Sequence, residues 1–384
     1  MNLIERFRLF FGLLSGGRAF IGPPYIHLDV TRRCNLHCPG CRFHSPDGAG
    51  SCYPGDLAVR DISLGLVRQV AGEARRLAIR EVILAGDGEP LLHPQLPEIV
   101  TILKAAGCAI RLYTNGTCLA EADDAVLFEP GVDDLIVSLW ASSPDEYARC
   151  YPSNPRVFEQ VTAGVQAVAA RRTARGARTP RLTLCGPVTR DNFRNLGERV
   201  QLARRLGADA VEFTAYRQTR QEHAVHALDP EDIHALDKEL DGIRRLADRL
   251  GVGHNIPDLR RQHRLGRTDW KLRPCYIGWL HLNVHVDGTV TACGWCPAPV
   301  GHLGAEGLAA IWNGPALRAF RRSALTPGGW TRLSPHCMCD WCCFTKDIHR
   351  VHRVIRWFLP LARRRTAAPA KSADQSLFAE VDRS

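Results

Sequence analysis

With 384 residues, 45% of them hydrophobic and 23% charged, the chain has the composition of a soluble globular protein large enough for two domains. No apolar run approaches bilayer length. The short stretch Leu9-Phe-Phe-Gly-Leu-Leu14 lies among basic residues with no small-residue cleavage site after it, so it reads as an amphipathic helix and not a secretory signal. The net charge is +10, but only five of the fifty basic residues are lysine and the charge is scattered except near the C-terminus, so nucleic acid is not an expected partner.

Strand-like and helix-like segments alternate from residue 25 to about 217, the pattern of parallel βα units. Strands are predicted at Tyr25–Thr31, Glu81–Ala85, Ala109–Tyr113, Asp134–Trp140, Arg181–Gly186 and Ala210–Tyr216. Helices are predicted at Leu64–Ile79, Leu96–Ala106, Leu119–Phe128, Arg156–Arg172 and Asn192–Leu206. Alternate strand positions are polar where a fully packed parallel core would be apolar on both faces: His27, Asp29 and Thr31; Arg111, Tyr113 and Asn115; Thr183 and Cys185; Glu212, Thr214 and Tyr216. Residues two apart share a face, so these sets turned inward would line a wet cavity; the competing reading places some at strand ends. Asp229-Pro230 opens a further helix to about Leu250, with aspartate as N-cap and proline at the first helical position.

Fifteen cysteines fall in unequal clusters, three between residues 34 and 41 and seven between 275 and 343, which suits reduced metal ligands in the cytoplasm better than a disulfide framework. The first cluster, Cys34-x3-Cys38-x2-Cys41, directly follows the first strand. A tetrahedral zinc site usually takes two separated pairs, whereas three clustered thiols suit a [4Fe-4S] cluster with one iron left open. The second strand ends in Gly86-Asp-Gly-Glu-Pro90, where a glycine-rich turn exposes backbone carbonyls and Pro90 fixes the bend. Together these motifs resemble the radical S-adenosylmethionine (radical SAM) superfamily.

The resemblance implies an α/β fold with a partial (βα)6 barrel, and a cluster whose open iron is chelated by S-adenosylmethionine. It implies an enzyme that forms a 5′-deoxyadenosyl radical to abstract hydrogen from an unactivated C–H bond. Cys34, Cys38 and Cys41 match the three ligands; Gly86, Gly88, Glu89, Pro90, Asn115 and Ser138 stand where the family contacts the cofactor. Two departures are Asp87 in place of the first glycine of Gly-Gly-Glu-Pro, and Gly40 where an aromatic residue is common, with Phe43 expected to take over that packing.

Cys275-x12-Gly288-x4-Cys293 reproduces the opening of the SPASM and twitch auxiliary-cluster domains, around a hairpin signal at Asp287-Gly288. Cys275, Cys293, Cys339 and Cys342 are the expected ligands of an auxiliary [4Fe-4S] cluster, with Cys296, Cys337 and Cys343 spare; a zinc ribbon is the alternative for this segment. The implied division is an N-terminal amphipathic helix over 1–24, a radical SAM core over 25–227, a bridging helix and linker over 228–270, a SPASM-like domain over 271–345, and a basic amphipathic tail with a disordered C-terminus over 346–384. The tail is expected to dock with the N-terminal helix on the barrel, with an anionic membrane surface as the alternative.

Cys185 on the fifth strand is a candidate hydrogen-atom donor to a substrate radical, against the plainer role of a small buried hydrophobe. About twenty-four residues precede the first strand, few for a peptide-recognition domain, so the expected substrate is a small metabolite or natural-product intermediate that is oxidised, epimerised or cross-linked. Maturation of a ribosomally made peptide is the alternative, and a non-catalytic zinc scaffold the alternative of another class. A radical SAM enzyme also needs an electron donor such as flavodoxin or ferredoxin. The expected location is the cytoplasm, with peripheral membrane contact through the tail.

Overall fold

The computed structural model describes residues 3–38, 41, 43–45, 60–151, 156–216, 222–271, 274–294, 296–326, 344–360 and 362. Its elements in chain order are α1 (Leu3–Leu14), β1 (Tyr25–Asp29), α2 (Leu64–Leu77), β2 (Glu81–Ala85), α3 (Leu96–Ala105), β3 (Ala109–Thr114), α4 (Asp124–Leu127), β4 (Asp134–Ser138), α5 (Pro144–Cys150), α6 (Arg156–Ala174), β5 (Arg181–Val188), α7 (Leu196–Arg205) and β6 (Ala210–Ala215). There follow α8 (Pro230–Leu250), β7 (Gly253–His254), α9 (Ile256–Lys271), β8 (His281–Val284), β9 (Thr289–Cys293), β10 (Cys296–His302), α10 (Leu308–Trp312), α11 (Pro315–Ala324) and α12 (Thr345–Ile355), which a short 3₁₀ turn over Arg356–Phe358 prolongs.

Strands β1 to β7 run parallel in sequence order, as expected of six βα units plus one short addition. Alternation along each strand divides its side chains. Ile26, Leu28, Val82, Leu84, Leu112, Leu135 and Val137 are completely buried in the same apolar core as Val67, Val70 and Ala74 of α2 and Val161 and Val165 of α6. The opposite face bears the polar set. His27, Arg111, Tyr113, Thr183, Glu212 and Thr214 line one cavity of about 1090 Å³, so the sheet curves around it as a partial barrel. Thr31 instead binds the Asp61 carboxylate at 2.7 Å at the strand end.

The hairpin β8–β9 turns at Asp287-Gly288, where Gly288 has φ +94°, a region glycine adopts without strain, and Thr289 donates to Asp287 from both its backbone N–H and its hydroxyl. The sequence pattern does not reveal its destination. Strand β8 pairs parallel with β1, from Tyr25 opposite His281 to Leu28 opposite Val284, so the second cysteine segment extends the barrel sheet in the order β10-β9-β8-β1-β2.

Local signals account for most element ends. Ser63 caps α2, and Asp229 forms a capping box with Asp232 at α8, which Gly251 ends in the left-handed region. The helix predicted at Leu119–Phe128 is shorter: Asp123 accepts from the Ala125 N–H, so α4 begins only at Asp124. Helix α9 occupies most of the predicted linker. At the far end Arg321 is buried, donating to the carbonyls of Gly278 and Gly17 at 2.7 and 3.1 Å, which ties the segment after α1 to the second cysteine region.

Candidate active site

The C-terminal ends of β1, β2 and β3 converge. After β1 the chain enters the cysteine loop, where the Cys41 N–H donates to the Cys38 carbonyl at 3.0 Å and the His44 N–H to Cys41 Sγ at 3.3 Å. Burial is the main cause that raises the Cys34 and Cys38 thiols above their ordinary value; Cys41 and Glu89 raise both further, and Cys34 adds to the rise of Cys38. Cys34 and Cys38 thus resist ionising alone, and a cationic iron–sulfur core bound there would supply the positive charge that stabilises their thiolates.

The turn after β2 is locked against this loop. The Glu89 N–H donates to the Arg33 carbonyl at 2.7 Å, and His44 Nε2 lies 2.7 Å from the Asp87 carbonyl. Gly86 has φ +131°, and a Cβ there would sit 2.5 Å from Asp29 Oδ1; a Cβ on Gly88 would sit 2.4 Å from the Arg33 carbonyl oxygen. Both glycines are therefore needed for close approach. The Glu89 side chain is buried and faces the β3 end, not solvent. It accepts from the Thr114 hydroxyl at 2.7 Å and from the N–H groups of Asn115 and Leu91 at 2.6 and 3.1 Å. Burial raises its carboxyl above the usual range and those three donors pull it back. Pro90 starts the 3₁₀ turn that Glu89 caps. Asn115 Nδ2 reaches Asn35 Oδ1 at 2.8 Å, joining the β3 end to the cysteine loop.

Ser138 and Cys185 are register neighbours on β4 and β5 with Oγ and Sγ 3.8 Å apart. Burial pushes the Cys185 thiol up to about 12, so it stays S–H at neutral pH, the form that carries a hydrogen atom. Phe43 is half-buried in the cysteine loop.

One cluster escaped the sequence motifs. Asp29, Asp87 and His285 are all buried, with ligating atoms within 4.8 Å of one another. Asp29 Oδ2 lies 2.7 Å from His285 Nδ1 and accepts from Asn283 Nδ2 at 2.9 Å. His285 Nε2 is 3.2 Å from the Thr291 hydroxyl, which donates to the Cys293 carbonyl at 3.2 Å. Polar contacts thus run from Asp29, whose carboxylate lies within 4.8 Å of Asp87 in the Gly-Asp-Gly-Glu-Pro turn, to the backbone of Cys293. Only the inward parity of Asp29 announced this, since the partner side chains arrive on β8.

Of the second cysteine set, Cys293 ends β9 opposite Cys296, and Cys275 anchors its backbone N–H on the Ala324 carbonyl at 2.8 Å. Cys339 and Cys342, like Cys337 and Cys343, lie outside the described residues, as does the chain beyond residue 362.

The sequence profile of the radical SAM superfamily matches residues 28–200, the segment that builds the cysteine loop and the turn against it. The chain belongs to the radical SAM superfamily. A second profile, the SPASM iron–sulfur cluster-binding domain, matches residues 275–344. Together they make it an enzyme using a [4Fe-4S] cluster with S-adenosylmethionine and auxiliary iron–sulfur; a zinc scaffold is excluded.

Among known proteins, a "PqqA peptide cyclase" of Streptomyces rochei is 28% identical over 81% of this chain and 80% of its own length, and one of Methylocella silvestris is 29% identical over 78% and 77%. A tungsten-containing aldehyde ferredoxin oxidoreductase cofactor-modifying protein of Pyrococcus furiosus is 27% identical over 49% of this chain, which spans only half of that protein. In fold, the chain is similar to anSMEcpe with bound AdoMet (TM-score 0.58, 14% identity, 89% of this chain and 98% of the other) and to Streptococcus suis SuiB bound to its precursor peptide (0.57, 12%, 85% and 73%).

Proposed function

We propose that this radical SAM enzyme oxidatively modifies a peptide, joining or desaturating unactivated carbon positions. The observation that carries the reading is the similarity of about four fifths of the chain to proteins named PqqA peptide cyclase. It reverses the preference for a small metabolite. That second reading keeps one observation in its favour: the barrel cavity of about 1090 Å³ is walled by charged strand residues such as Glu81, Arg111 and Glu212, which suits a compact polar ligand.

The cysteines Cys34, Cys38 and Cys41 are assigned to the cluster that binds S-adenosylmethionine, and Cys275, Cys293, Cys339 and Cys342 to the auxiliary cluster. When bound, these groups supply a 5′-deoxyadenosyl radical for hydrogen abstraction and an acceptor for the electron left behind, with flavodoxin or ferredoxin as the outside donor. Gly86 lets the turn approach Asp29 of β1, Gly88 lets it approach the backbone of Thr31 to Arg33 that leads into the cysteine loop, and Glu89 holds the Asn115 backbone in place. Ser138 is assigned to the cofactor's sugar, and Phe43 packs on the cofactor. Asp29 with His285 takes the proton that an oxidised substrate releases, because the buried pair stands beside the Gly-Asp-Gly-Glu-Pro turn with a hydrogen-bonded path away from it. Cys185 is assigned the return of a hydrogen atom in any redox-neutral outcome, such as epimerisation.

The test is anaerobic reconstitution of wild type and a Cys34→Ala/Cys38→Ala/Cys41→Ala variant, then assay of 5′-deoxyadenosine and peptide mass with short precursor peptides. About eight irons should fall to about four in the variant, with all cleavage of S-adenosylmethionine lost. A loss of 2 Da in a peptide supports the peptide reading. Turnover with sugars or amino-acid derivatives and none with peptides would replace it by the metabolite reading.

A further inference from the structure

Helix α1 is amphipathic, with Glu5, Arg6 and Arg8 among nine apolar or glycine residues, more apolar surface than one packed face requires. Its inner residues Leu9, Phe10 and Leu13 wall the barrel cavity, as do Val351 and Ile355 of α12. The two helices are joined where the Phe10 and Phe358 rings meet edge to face at 5.0 Å. Among the described residues nothing covers their outer face. Leu3, Ile4, Phe7 and Phe11 on α1, with Val354, Trp357 and Phe358 at the other element, are each between 41% and 75% exposed.

The charge on this face has one sign. Arg8, Arg353 and Arg356 are exposed outside the cavity, while Arg6, Lys346 and Arg350, also exposed, stand at its lining. The two helices carry only two carboxylates: Glu5 is held by Arg80 at 2.7 Å and Asp347 by the Tyr25 hydroxyl at 3.0 Å. Trp357 is the most exposed of the apolar side chains, with the Arg356 guanidinium 4.8 Å from its ring. A surface combining large apolar side chains, an exposed tryptophan and arginines without free acids complements lipid headgroups of negative charge. A second copy would set cations against cations across a two-fold axis. Among the described residues no helix is long and apolar enough to cross a membrane, so the contact would be peripheral.

We propose that the outer face of α1 and α12 docks the enzyme on an anionic phospholipid bilayer. The proposal goes beyond the peptide reading and does not depend on it, since its readout is binding and not turnover.

The experiment is sedimentation of the full-length, cluster-loaded enzyme with vesicles of phosphatidylcholine alone or mixed with phosphatidylglycerol, at low and raised salt. Binding should require phosphatidylglycerol and weaken with salt. An Arg8→Gln/Arg353→Gln/Arg356→Gln variant should partition about a hundredfold more weakly, at about fivefold per arginine. A Phe7→Ser/Phe11→Ser/Trp357→Ser variant should lose binding as well. Unchanged iron content and S-adenosylmethionine cleavage without vesicles would show that both variants fold. No binding of the wild type, equal binding to phosphatidylcholine alone, or binding indifferent to both variants would overturn the proposal. So would a dimer in solution that the serine variant dissociates while wild type ignores vesicles, which would assign the face to a second copy.

Discussion

The two ends of the barrel are built on different principles. At the C-terminal strand ends the backbone is held at close range: the Glu89 N–H on the Arg33 carbonyl, the Asn115 N–H on the Glu89 carboxylate, and glycines at 86 and 88 where a Cβ would collide. Toward the N-terminal ends the strands surround a cavity of about 1090 Å³, lined by charged, aromatic and aliphatic side chains. The first end holds what every turnover needs, so its groups are crowded and fixed. The second offers space and charge, so it can be refitted to a substrate without disturbing the first. The Asp29–His285 pair lies on the turn side of His27, where the two regimes meet.

Gly88→Ala breaks the crowded end. Its Cβ would meet carbonyl oxygens of Arg33 and Thr31 at 2.4 and 2.7 Å, and backbone cannot swing aside as a flexible side chain can. Stability should fall by about 1–3 kcal/mol, read from denaturant midpoints of anaerobic protein. S-adenosylmethionine cleavage should fall at least about tenfold, since a displacement of about 1 Å in a positioned group costs that much or more. Wild-type cleavage in this variant would mean that the turn is not set by the contact.

The cavity end is sharpened by pH. Burial is the main cause that lowers His27 to about 4, with Arg111 adding to it and Asp29 opposing; burial and the neighbouring His27 hold His281 well below its ordinary 6.5. Their rings lie 4.7 Å apart. As pH falls below 6.5 the unfolded chain takes protons that the folded chain refuses until near 4, so stability drops through that window. In His27→Gln the slope between pH 6.5 and 5 should be shallower by up to about 1.4 kcal/mol per pH unit. An unchanged slope would show that His27 protonates normally in the folded state.

The smallest effect is expected from Cys185→Ala. Formation of 5′-deoxyadenosine should stay within about twofold of wild type, while any product that gains a solvent-derived hydrogen in deuterated buffer should vanish. A collapse of cofactor cleavage would instead give Cys185 a structural part in the crowded end.

The contrast between the ends also explains what the sequence discloses. Cys34, Cys38, Cys41 and Gly86 to Pro90 are contiguous motifs, legible because their geometry is local to one loop and one turn. The inward sets on β1, β3, β5 and β6 were legible by parity, because a strand alternates faces whatever it pairs with. The Asp29–His285–Thr291 chain was not, since it exists only because β8 pairs with β1, which no local periodicity encodes. Helix α4 was overdrawn for the opposite reason: the helix-favouring residues Leu119, Ala120, Glu121 and Ala122 ahead of it concealed the cap at Asp123.

That pairing also has a consequence for how the protein is made. Tyr25 waits for His281, 256 residues later, to satisfy the edge of its strand. At about 5–20 residues per second of synthesis, the first strand leaves the ribosome about 13–50 s before its neighbour exists. In that interval its buried residues Ile26 and Leu28 border an open edge, the kind of surface that recruits stray strands. Completion of the sheet is therefore a late event in the life of the chain, and truncation between residues 255 and 280 removes β8 from the edge of β1 while leaving β1 to β7 in place.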